Sequence, residues 1–149
     1  MVRMTSAAAY PISALMTRTI GQAATAQEME AMGRAAIARL PAQFREHLDD
    51  IVFQVQDFAE DDLLRQMGIE SEWELTGVYE GIPLSDRSVE HSGTMPDRIR
   101  LFRLPILLEW AERGDEMLEH LVAHVTIHEI GHHFGLSDED MHALEDAAD

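Results

Sequence analysis

Residues His128-Glu129-Ile130-Gly131-His132, followed by Gly135 and Asp138, set two imidazoles and two carboxyl groups in an H-E-x-x-H-x-x-G-x-x-D spacing. On a helix, positions i and i+4 lie about 40° apart around the axis, so His128 and His132 can reach one tetrahedral ion. Glu129 falls about 100° from His128 and about 60° from His132, which sets its carboxylate beside such an ion rather than on it. The chemistry open to this set is hydrolysis, with a Lewis-acidic Zn2+ activating water and Glu129 as general base. The competing readings need no metal: two histidines satisfied in a polar core, and Glu129 in a salt bridge to Arg98 or Arg103.

Asp138 stands where a third ligand is needed, but a carboxylate at the first position of a helix is also favoured by the helix dipole. Glu139 and His142 are its alternatives, reached if the chain turns differently after Gly135. His120 and His124 continue the i+4 series backwards, and each step rotates it by about 40°, so both are poor first-shell candidates. His124 could orient a ligand from one turn away, whereas His133 points about 140° off and reads as structural. Tyr79 or His91 could steady a developing oxyanion, although a buried Tyr bonded to backbone is the commoner case.

A long helix from about Glu116 to Phe134 must carry this set. Leu118, Leu121, Val122 and Val125 fall on one arc and Ala123, Ile127, Ile130 and Phe134 on another, which predicts burial on two sides. Gly114-Asp115 supplies its start and Gly135 its left-handed stop; Ser137 with Asp140 resembles a capping box opening a final helix to about Ala147. Upstream, Thr25 and Glu28 form a capping box, and Met29, Met32, Ala36, Ile37 and Leu40 recur at helical spacing until Pro41. Ile51 to Gln56, Leu75 to Tyr79 and Arg98 to Leu104 read as strands, the last alternating Arg with apolar residues so that one face is buried. If that strand lies at the sheet edge, it could hold a peptide by strand addition. Asp57 to Glu74 reads as a solvated connection with one helical turn, Gly81 to Asp97 as a long loop, and Pro105 as the end of the third strand before a short helix from Ile106 to Trp110.

The 149 residues suffice for one core, and residues 23–149 are expected to form a single domain behind a disordered extension over residues 1–22. That extension holds Arg3 and Arg18 and no acid, but Tyr10-Pro11 and Ser13 interrupt its apolar run, which argues against a signal peptide. No apolar run approaches the roughly 18 residues of a spanning helix. With no cysteine, thiolate ligation is excluded, and any metal must be held by imidazole and carboxylate. Lack of cysteine assigns no compartment, although a secreted protein of this size would often carry disulfides; the expectation is a cytoplasmic, membrane-free protein. The net charge is −17, with five Arg against three acids over residues 1–48 and six Arg against 25 acids over 49–149. Such a field repels phosphate backbones and favours neutral or basic peptides, which speaks against a ribonuclease and against nucleic-acid partners. The bland reading of the same charge is solubility.

Taken together, residues 26 to 146 resemble small bacterial metallopeptidase-like proteins of the minimal zincin type. The likeness rests on four ordered segments: Leu40-Pro41-Ala42-Gln43-Phe44-Arg45 ahead of Leu48 to Val52, Gly77 to Leu84, Pro96-Asp97-Arg98-Ile99, and His124 through Asp138. The resemblance implies a compact α+β fold with a small mixed sheet packed on a buried active-site helix, zinc on His128, His132 and Asp138, and Glu129 as base. It supplies no substrate beyond peptide or protein. Asp138 replaces the third His of the longer metzincin pattern, and no clear Met-turn follows it, so the chain is not read as a metzincin. Two functions follow: a zinc-dependent peptidase, or a zincin-shaped binding or regulatory module that turns nothing over.

Overall fold

The computed structural model describes residues 21–83 and 96–148. Its chain order is α1 (Ala26–Ala38), α2 (Ala42–Arg45), β1 (Val52–Gln56), α3 (Asp61–Met67), a 3-10 turn (Glu72–Glu74), β2 (Gly77–Glu80), β3 (Arg98–Phe102), α4 (Arg103–Arg113), α5 (Leu118–Phe134) and α6 (Asp138–Ala148). The class is α+β, as the sequence predicts.

α1 starts where its capping box requires. The Glu28 N–H donates to Thr25 Oγ1 at 3.1 Å and the Thr25 N–H to Glu28 Oε1 at 3.0 Å, so two otherwise orphaned amides are satisfied reciprocally. Its apolar stripe, with Met29, Met32 and Ala36 buried, lies across α5 and β1. The three strands form a mixed sheet in the order β1-β3-β2, parallel between β1 and β3 and antiparallel between β2 and β3. One face of this sheet, with Phe53, Ile99 and Leu101, packs with Leu121, Val122 and Ile130 of α5 into the main core. The other face carries Val78 and Phe102 against Leu63 and Leu64 of α3, a smaller second cluster.

Five local expectations are corrected. β3 is the central strand, so Arg98 to Leu104 has no free edge for an added peptide. Its Arg/apolar alternation suggests one wet face, yet Arg100 is only 3% exposed, because Glu60 and Glu80 both ion-pair with it at 2.6 Å. Leu104 and Pro105 lie not in the strand but in the first turn of α4, where the amide that proline lacks would have no helical partner anyway. Gly114, with φ 75°, ends α4 in the left-handed conformation instead of opening α5. The stretch from Asp57 to Glu74 is more than a solvated connection. Asp61 and Asp62 sit in the first turn of α3, where the helix dipole favours acids, and two buried leucines anchor it.

Candidate active site

α5 is the helix on which the site is built. It is buried on several sides, with Leu118, Leu121, Val122, Val125, Ile127 and Ile130 all in the core, which holds its remaining face in a fixed orientation. That face presents His128 and His132, whose ring centroids lie 4.9 Å apart. The separation suits two nitrogens each about 2 Å from a common ion. Burial and the neighbouring His128 both push the His132 pKa down, which favours the neutral imidazole that a metal ligand must be.

Glu129 lies beside this pair, its Oε2 3.7 Å from His132 Nδ1. The residue is 7% exposed, and burial pushes its carboxyl up to about 7, partly offset by a hydrogen bond from the Tyr79 backbone. The strand register explains that bond. Phe102 N–H donates to Thr76 O at 2.9 Å, so residues 76, 78 and 80 face β3 and the Tyr79 amide turns to the outer edge of β2, next to α5. Neither arginine weighed as a salt-bridge partner reaches Glu129: Arg98 bonds Glu80 and Gln54, and Arg103 bonds Asp57 and the Ala24 carbonyl. A cavity of about 210 Å³ opens beside it, lined by Thr76, Glu109, His124, Val125, His128 and Glu129.

Beyond α5 the chain turns at Gly135, φ 68°, with the Leu136 N–H donating to Gly131 O at 2.9 Å. This Schellman closure returns α6 onto α5 so closely that a Cβ on Gly131 would lie 2.4 Å from Met141 Cγ. Asp138, the first residue of α6, is exposed and within electrostatic reach of His132, whose pKa it raises against the other two effects. Among the described residues, no three His, Asp or Glu side chains are close enough together to hold an ion. The fold therefore assembles a two-imidazole pair with its buried carboxyl, and leaves Asp138 and Glu139 on the neighbouring turn. His142 is turned to solvent, 4.0 Å from Glu145.

The other histidines fall into place physically. His124 Nδ1 lies 3.0 Å from Glu145 Oε1, joining α5 to α6. His133 is 2% exposed, with Nδ1 3.2 Å from Asp97 Oδ2 and its ring edge-on to Tyr79. The Tyr79 hydroxyl is buried in the same place, 2.9 Å from where a Gly81 Cβ would stand. Tyr79 thus touches Glu129 through its main chain, with its phenol in the interior. His91 lies outside the described residues. Sequence reasoning gave Asp97, Thr76 and Glu109 no role. Only the Pro96-Asp97 turn hinted at the first, and the other two depend on how α4 and β2 meet α5.

A three-stranded mixed sheet packed on a buried helix that bears H-E-x-x-H is a minimal zincin-like architecture. Residues 48–148 match the zincin-like metallopeptidase family, a span running from the residues just before β1 through α6, and the chain belongs to that family. A search of curated proteins finds no match.

Proposed function

We propose that the protein is a zinc-dependent peptidase in which Glu129 is the general base. The observation that carries this reading is the placing of three side chains by one helix: two imidazoles 4.9 Å apart, with a buried carboxyl beside them that opens on a cavity. His128 and His132 would hold the zinc, with Asp138 as third donor and Glu139 and His142 as its alternatives. Bound there, the ion would polarise the scissile carbonyl and acidify an attacking water. Glu129 would take the proton from that water and pass it to the leaving amine, and its buried place beside the imidazole pair is where a general base is needed. The Tyr79 amide holds this carboxylate in place from the strand side. β2, not β3, is the edge strand beside Glu129, and the Tyr79 amide on its outer edge is already given to Glu129.

The test is Glu129→Gln. The zinc-loaded variant should keep its metal and lose about 10²- to 10⁴-fold in hydrolysis of a peptide library. A variant that binds zinc and cleaves at the wild-type rate contradicts the role. A second reading, a zincin-shaped binding or regulatory module, is favoured by one observation: among the described residues no three-donor group is assembled. Failure to take up zinc on supplementation would select it.

A further inference from the structure

We propose that the cavity beside Glu129 is a side-chain subsite for a basic residue of the substrate, with Glu109 as the group that recognises it. The inference rests on the peptidase reading and names the substrate class for that same site. The cavity is bounded by three elements: Thr76 before β2, Glu109 on α4, and His124, Val125, His128 and Glu129 on α5. Its 210 Å³ falls below the roughly 300 Å³ at which pockets begin to enclose whole small ligands, so it suits one side chain next to the reacting bond.

The walls divide by chemistry. Val125, buried in the core, offers an apolar surface for a methylene stem, and Thr76 and Glu109 offer oxygens for its head. Glu109 is half-buried and already binds a guanidinium, Arg113 Nη2 donating to its Oε1 at 2.9 Å, while its Oε2 accepts no hydrogen bond from a described residue. With Oε1 taken by Arg113, Oε2 is left to accept one charge-assisted hydrogen bond from the head of an incoming Arg or Lys. A neighbouring cavity of about 180 Å³ shares His124 and brings Glu116 and Glu145, against the single cation Arg39.

Two measurements on the full chain test the subsite. The first compares kcat/KM of the zinc-loaded protein for peptide pairs carrying Arg or norleucine at each position flanking the cut. At one position Arg should be preferred by at least about tenfold, the size of one charge-assisted hydrogen bond, and the ratio should fall to about one in Glu109→Gln. Glu109→Arg should invert the preference towards a Glu peptide, a gain that misfolding cannot produce. The second measurement needs no turnover: N-acetyl-arginine amide is titrated into isotope-labelled protein, with the norleucine analogue as control. Arginine amide should shift the Thr76 and Val125 amide resonances in the wild type and not in Glu109→Gln. Equal response to both amides, or an unchanged response in the variant, overturns the proposal. A protein that cuts peptides without preferring Arg keeps the peptidase reading and loses this one. A protein that cuts nothing yet binds arginine amide through Glu109 does the reverse.

Discussion

Glu129 is nearly fully buried, and that burial holds its carboxyl up to about 7 from a usual 4.5. Between these two values the folded, metal-free protein keeps a proton that the unfolded chain has already lost. Stability therefore falls as pH rises through that window, by about 3 kcal/mol for a shift of this size. Glu129→Gln removes the group and little else, so the metal-free variant should gain on the wild type from pH 4.5 to 8, most of it between 5 and 7. Denaturant unfolding of both proteins at pH 5 and pH 8 measures the gap, and a gap that does not widen refutes the raised carboxyl. Tyr79 makes a second test at this scale. Its amide serves Glu129 and its phenol is interior, so Tyr79→Phe should change kcat by less than about threefold. Loss of an oxyanion donor would cost about 10² to 10³.

At the scale of elements, the decisive junction is α5 to α6. Gly131 lies inside the motif between Ile130 and His132, and Met141 packs where its side chain would be. Gly131→Ala must displace the Met141 side chain, and where that buried side chain finds no other place, α6 moves and Asp138 with it. The variant should bind zinc about tenfold more weakly, as for lost supporting contacts around other metal sites, and adding Met141→Ala should restore part of the affinity. Calorimetric titration checks this; an unchanged affinity would contradict the coupling of Gly131 packing to the metal site. The same junction shows what a sequence can and cannot convey. The imidazole pair was legible because both residues share one helix, where spacing alone sets the angle. So were α1 and the α5 terminus, which Thr25, Glu28 and Gly135 specify locally. The third donor was not, because it depends on how one helix packs on another. Strand order was hidden for a similar reason: Arg100 reads as a wet residue until Glu60, forty positions away, is seen to cover it.

Across the whole molecule, small size and strong negative charge limit what the site can do. Residues 48–148 carry the family match and include the three strands, the motif helix and α6, so recognition surfaces have to be built from the same few elements as the chemistry. The α+β class and the helix bearing the motif could be inferred from periodicity and spacing, whereas the place of Glu109 beside Glu129 could not, since α4 and α5 meet only in the folded chain. The acidic surplus lies after residue 48, and none of the described helices is long and apolar enough to cross a membrane. All of these inferences assume that one ion sits between His128 and His132. Anomalous scattering at the zinc edge from a zinc-soaked crystal tests that directly. The account predicts a single peak within bonding distance of both imidazoles, with Asp138 drawn in as the third donor and Glu129 alongside; no peak, or one elsewhere on the molecule, would contradict it.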